Sequence, residues 1–294
     1  MFNKTDLNII GYACDNGGPT FGSSEGPAHM QESKYLKELH NSGLRYKWLK
    51  IIEQESSTKK DDQIILSQCT RLANEVASLV DKDKFFLVLG GDHCSAIGTW
   101  SGAHDKLAKN SEMGLIWIDA HMDSHTDATS ATGNIHGMPL ASLLGKGNKS
   151  LNSILSKYPK ILPHNICLIG IRSYEPEELE LLTSLNVKIF YMDEVKEKGF
   201  KECLKQALSI VKKNTEFFGV SIDIDAIDPL DAPGTDVKEN DGIKKTDILN
   251  GLELLNLESS FIGFEIVEFD PKEDKNNTTE KLVAEMISKI TLGF

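Results

Sequence analysis

The sequence predicts an α/β fold in which eight strands alternate with helices around one mainly parallel sheet. Two observations predict it: short unbroken apolar runs of the kind that fill a sheet buried on both faces, and stretches of helical spacing between them. A third concerns function, because several of the apolar runs end abruptly in Asp and His. Alternation implies right-handed crossovers, but a strand count leaves an open sheet and a closed (β/α)8 barrel equally available. With 294 residues the chain can bury a large core, and without an internal repeat, low-complexity tract or linker it reads as a single domain over residues 1–294.

Residues 7–12 read as the first strand, and a Gly- and Ser-rich loop then leads to Glu25-Gly26-Pro27. Pro27 suits the first turn of a helix, which Gly43 closes. Residues 46–51 form a second strand and the polar residues 53–60 an exposed loop. From Asp61 onward, Ile64, Ile65, Leu72, Val76, Leu79 and Val80 recur at helical spacing. Residues 85–89 are the third strand, followed by a helix over residues 94–107 in which His104 is structural or solvent-facing. Residues 114–118 are the fourth strand, with a long loop from Ser124 to Ile135 after it. The fifth strand, residues 166–171, ends in Arg172-Ser173-Tyr174-Glu175, and Pro176 starts a helix. Strands at 188–191, 217–224 and 261–267 complete the set, with helices over 200–212 and 244–257 and from about Thr278 onward.

Hydrophobic content of 40% and charged content of 26% are ordinary for a globular domain. A net charge of −12 argues against nucleic acid as a partner, since phosphates need a basic surface, and it favours the approach of a cationic small molecule. The five cysteines are odd in number and lack CxxC spacing, so buried reduced thiols are expected. No run approaches the ~18 apolar residues of a membrane span, and the first residues lack a signal-peptide core, which makes the cytoplasm the default location.

Three apolar strands converge on one kind of chemistry. The run Gly114-Leu115-Ile116-Trp117-Ile118 leads into Asp119, His121 and Asp123, and the run from Phe217 ends in Asp223 and Asp225. The third delivers His93 past the paired glycines Gly90 and Gly91. On a strand, residues two apart share a face, so each Asp/His pair projects together, and Asp123 follows if the chain stays extended. Any one of these ends is commonplace as a cap or a loop hydrogen-bonder. Four Asp and two His at one sheet edge would repel and desolvate each other at a cost of several kcal/mol without a cation, and they outnumber the ligands of one ion. Oxygen-rich ligation with some imidazole favours manganese over zinc, and two ions about 3.5–4 Å apart can share a bridging hydroxide.

At this point the chain resembles the arginase-like ureohydrolases. The matching stretches are Gly90-Gly91-Asp92-His93, Asp119-Ala120-His121-Met122-Asp123, Gly133-Asn134-Ile135-His136-Gly137, Ser221 to Pro229 and Glu265-Ile266-Val267-Glu268-Phe269-Asp270-Pro271, in family order, with Gly26-Pro27 also fitting. The resemblance implies a three-layer α/β/α sandwich around a single eight-stranded sheet. It also implies two Mn2+ ions held by His93, Asp119, His121, Asp123, Asp223 and Asp225, and hydrolysis of a guanidino substrate to urea and an amine. By the same resemblance His136 is the catalytic histidine, Asp123 relays a proton to the leaving nitrogen, and Glu268 pairs with the guanidinium. Family members form trimers or hexamers, so a homo-oligomer is expected.

Substrate choice rests on the outer loops. Gly133 to Gly137 looks more like arginases than agmatinases. By resemblance, His125, Thr132 and Asn134 would face the carboxylate of arginine, and Ser173 and Glu175 its amino group. His125 departs from a common Asn and Ser173 from an Asp. A larger departure follows Pro233, where the family carries Gly-Thr-Gly-Thr-Pro and a paired glycine. Here the loop reads Gly234-Thr235-Asp236-Val237-Lys238-Glu239-Asn240-Asp241-Gly242 and is polar and acidic. The leading expectation is a manganese-dependent arginase. A ureohydrolase for agmatine, guanidinobutyrate or a similar guanidine stands as the alternative, and a catalytically silent metal-binding homologue behind it.

Overall fold

A computed structural model describes residues 2–54, 61–107, 113–157 and 159–294 of the chain. Its strands are β1 (Asp6–Ala13), β2 (Arg45–Glu53), β3 (Phe86–Gly90), β4 (Met113–Ile118), β5 (Ile166–Ile171), β6 (Lys188–Tyr191), β7 (Phe217–Asp223) and β8 (Phe261–Val267). They form a single sheet in the order β2-β1-β3-β8-β7-β4-β5-β6, with every pairing parallel. β2 and β6 are free edges, so the sheet is open, and the barrel alternative falls. Every residue of β3, β4, β5 and β8 is buried. Helices therefore cover the sheet on both faces, giving three layers. The edge strand β2 is by contrast mostly exposed or half-buried.

The sheet order has a functional consequence. β3, β8, β7 and β4 are consecutive neighbours at the centre of the sheet, and these are the strands whose carboxyl ends carry His93, Glu268, Asp223 and Asp119. Ligands of open α/β sheets bind at that edge. Gly91 allows two stretches of backbone to approach closely there: a Cβ on it would lie 2.1 Å from the carbonyl oxygen of Cys14.

Some boundaries differ from expectation. The helix expected from Pro27 to Gly43 is two helices, Gly26–Glu32 and Lys34–Asn41. Ser33 separates them with an extended backbone, and its Oγ accepts the Leu36 N–H as an N-cap. The loop after β4 contains short helices at Pro139–Leu143 and Lys149–Asn152, and Met192–Lys198 forms a helix ahead of Phe200–Val211. Residues 55–60 of the expected 53–60 loop lie outside the described residues. All five cysteines are buried and free, and among the described residues no helix is long and apolar enough to cross a membrane. His104 is structural: burial and nearby Lys160 push its imidazole down to about 4.

Trp100, on the helix Ser95–Leu107, links this packing to the sheet edge. Its indole lies against Gly219 of β7, where an added Cβ would meet Trp100 Cζ3 at 2.0 Å, and its Nε1 donates to Glu265 Oε1 of β8 at 2.6 Å. Glycine at 219 is thus a packing requirement. Replacing it by Ala overpacks the core, and Gly219→Ala is expected to destabilise the chain by about 1–3 kcal/mol. A urea-unfolding midpoint equal to that of the unaltered chain would disprove the constraint.

Candidate metal centre and its pocket

Asp119, His121, Asp123, Asp223 and Asp225 reach one place by turns rather than by strand alternation. β4 stops at Ile118, and Asp119 to Asp123 follow as irregular chain. The chain does not stay extended to Asp123, as the strand argument required: Asp123 has φ +46°, a left-handed backbone that folds its carboxylate back. Asp223 ends β7, and Asp225 lies in a 3-10 turn, Ile224–Ala226, where its N–H donates to Asp223 Oδ1.

His93 Nδ1 stands 3.2 Å from Asp119 Oδ2, 2.9 Å from Asp123 Oδ2 and 3.1 Å from Asp223 Oδ2. Yet this buried nitrogen makes no aligned hydrogen bond to any of them. One imidazole nitrogen has a single lone pair or a single hydrogen, so three carboxylate oxygens around it match the ligand shell of a cation better than a hydrogen-bond network. A second group adjoins it: His121 Nδ1 is 2.9 Å from Asp225 Oδ2 and 3.7 Å from Asp119 Oδ1. Asp119 belongs to both groups, with donor atoms close enough in each to share an ion. The residues present therefore fit a pair of cations.

Their supports are built into the sheet. Trp117 of β4 stacks on the His93 ring at 4.2 Å and 9°, and its Nε1 donates to Asp119 Oδ2 at 2.8 Å. His93 Nε2 lies 2.9 Å from Ser221 Oγ, which itself donates to the fully buried Glu265 Oε1 at 2.8 Å. With the Ser221 proton directed to Glu265, its oxygen accepts from His93 Nε2–H. That assignment leaves Nδ1 bare towards the carboxylates, the tautomer a metal ligand needs.

Electrostatics mark the same spot. Burial, and then the neighbouring Asp225 and Asp119, hold Asp223 well above the usual carboxylate range, and burial puts Asp225 at about 6. Burial opposes a charge on His93 and on His121, but the surrounding carboxylates outweigh it and raise both.

Beside this centre stands a carboxylate and imidazole pair. Glu268 follows β8 with φ +62°, and its Oε1 accepts the His93 backbone N–H at 2.9 Å and faces His136 Nδ1 at 3.5 Å. Burial opposes protonation of His136, but the Glu268 contact together with Asp123 and Asp92 lifts it to about 9. A cavity of about 330 Å³ runs outward from here. It is lined at its inner end by His121, Asp123, Asp223, Asp225, His136 and Glu268 and at its mouth by His125, Thr132, Asn134 and Glu175.

Of the expected substrate-facing residues, Ser173 alone is missing from that lining; its backbone N–H donates to the Ala120 carbonyl. His125 Nε2 pairs with Glu175 Oε2 at 3.1 Å. Sequence reasoning missed Glu178, which is buried at 3% exposure, lines the same cavity and is pushed up to about 8 mainly by burial. Its signal was local: Glu175 and Glu178 form a capping box around Pro176. It also missed Pro19 in the wall, which comes from a distant loop and carries no motif; Thr235 and Val237 of the altered loop after Pro233 line it too.

Known proteins resemble this chain over its length. The arginase family model matches residues 5–293. An arginase from Brevibacillus brevis is 32% identical over 292 residues, covering 97% of each chain, and one from Bacillus caldovelox is 33% identical over 296 residues, again covering 97% of each. The crystal structure of an arginase from Bacillus subtilis superimposes with a TM-score of 0.90 at 31% identity, covering 97% of this chain and 98% of the other. A fold, a sheet edge and a ligand set expected from separate stretches of sequence thus coincide with full-length likeness, and the chain belongs to the arginase family.

Proposed function

We propose that the protein is a binuclear manganese hydrolase that cleaves the guanidinium group of L-arginine to give L-ornithine and urea. The observation that carries this reading is the meeting of His93, Asp119, His121, Asp123, Asp223 and Asp225 beside the Glu268 and His136 pair at the closed end of one cavity. His93, Asp119, Asp123 and Asp223 would hold one ion, and Asp119, His121 and Asp225 the other. When bound, the two cations would supply the charge that offsets the carboxylates and lets a water act as nucleophile near neutral pH.

The chain's own groups do the rest. Glu268, fixed by the His93 N–H, offers a two-pronged carboxylate to the planar guanidinium. His136, charged through most of the neutral range, holds a proton for the departing amine, and Asp123 lies at the same end of the cavity to pass one on. At the mouth, the hydroxyl and amide groups of Thr132 and Asn134 suit a carboxylate, and Glu175 and Glu178 suit an ammonium. A site with both favours an amino acid over agmatine, which lacks the carboxylate. The family resemblance adds a trimeric or hexameric assembly to the proposal.

Val237 supports a second reading, hydrolysis of another guanidine, because it presents an apolar side chain to the cavity from the altered loop. Urea release from arginine, agmatine and guanidinobutyrate, measured after manganese loading, separates the two. Arginine is expected to be turned over fastest; strong turnover of another guanidine with none of arginine rejects the first reading, and bound manganese with no urea from any guanidine leaves a silent homologue. His136→Asn is expected to lower kcat by about 10²–10⁴-fold with manganese content unchanged. A variant that keeps full kcat removes His136 from the chemistry.

Stability should report the metal directly. In the metal-free chain, Asp223 and Asp225 have folded pKa values above the ordinary carboxylate range, so they weaken the fold as pH rises from about 4 through about 6. His93, His121 and His136 are raised, and the stability they contribute fades as pH climbs through their folded values. Both effects slope downward with pH, whereas manganese binds better as protons leave. The gap in melting temperature between manganese-loaded and chelator-treated protein is therefore expected to widen from about pH 5 to about pH 8. A gap independent of pH contradicts this account.

A further inference from the structure

The two ligand histidines have different outer partners. His93 is enclosed, and its outward Nε2 rests on Ser221 and Glu265. His121 lies in the cavity wall with its side chain 25% exposed, and its outward Nε2 faces Glu239 Oε1 at 3.5 Å. Its inner nitrogen, Nδ1, is directed at Asp225 and Asp119. If Nδ1 is to serve a cation, Nε2 must carry the proton and needs an acceptor. Glu239 is the acidic side chain that the structure places there.

Glu239 is not a loose surface residue. The loop carrying it is anchored at one end by Gly234, whose N–H donates to Thr279 Oγ1 and whose carbonyl accepts the Asp270 N–H. At the other end Ile243 bridges back to Ile227. In between, the Arg172 guanidinium donates to the carbonyls of Glu239 at 2.8 Å and Asn240 at 2.9 Å. The same guanidinium donates to the carbonyl of Asp225 at 2.6 Å. One rigid fork therefore ties the backbone of a candidate ligand to the backbone of the residue that faces another candidate ligand of the same ion.

Resting on the metal reading above, we propose that Glu239 is a positioning residue that fixes the tautomer and ring orientation of His121 and thereby sets how tightly the cation on that side is held. The acidic loop after Pro233 then has a defined task, which is to supply the outer carboxylate of a carboxylate–histidine–metal chain. The cation held by His121 depends on a clamped loop, and the one held by His93 depends on the sheet.

Manganese binding to the full chain tests this, with affinity read by competition against a chromophoric chelator and stability read by melting of the metal-free protein. Glu239→Ala is expected to weaken the less tightly held manganese by about 10–100-fold, with the other ion and the metal-free melting temperature unchanged. Glu239→Gln, which keeps size and an acceptor oxygen but loses the charge, should fall between. Asn240→Ala, which leaves the backbone clamp in place, should bind like the unaltered chain. The kcat of Glu239→Ala should return at saturating manganese. Equal affinities in all four proteins overturn the proposal, as does an equal loss in Asn240→Ala, which would reduce Glu239 to loop integrity. If Glu239→Ala melts early, Glu239→Gln decides. Failure of the unaltered chain to bind manganese at all would instead defeat the metal reading, and this proposal with it.

Discussion

The molecule is organised around an electrostatic conflict. Four aspartates, three of them held well away from water, are gathered within a few ångströms at the carboxyl edge of a sheet, where a low dielectric magnifies their mutual repulsion. Two imidazoles among them relieve part of it, and His93 Nδ1 does so without one satisfactory hydrogen bond. The groups gathered in this way are ones that could hold metal ions.

The surrounding structure serves to keep those charges in place. Trp117 both stacks on His93 and donates to Asp119, so one side chain of β4 holds candidate ligands from two strands. Beneath them, Trp100 and Ser221 converge on Glu265, whose carboxyl is raised by burial yet retained through three donors, the third being Ser95. Core packing and ligand orientation are thus the same set of contacts, and the hydrophobic layers cannot be repacked without moving the histidine.

Much of this was legible in the sequence. Buried strands announce themselves as apolar runs, and a run that stops at Asp, His or paired glycine announces a site, so the eight strands and the six convergent side chains could be named. What could not be read was how they meet. The left-handed turn at Asp123 and the 3-10 turn at Asp225 have no signature at the level of period two, and the strand order that makes β3, β8, β7 and β4 neighbours emerges only from packing. The break at Ser33 went unread because its capping role depends on the chain direction on either side. Glu178 and Glu239 were legible as acids but not as partners, since each acquires its meaning from a contact across more than 50 residues of chain. Ser173 lies outside the cavity lining, with its backbone N–H on the Ala120 carbonyl.

The backbone at Asp123 and Glu268 carries a further consequence. Both adopt positive φ, at +46° and +62°, in a region that glycine or asparagine would occupy with less strain. Such strain persists only where something opposes its relaxation, and it amounts to roughly 1–3 kcal/mol per residue. Glycine at either position would relieve that strain and remove the carboxylate with it. Backbone comfort and the carboxylates are thus opposed at these two turns.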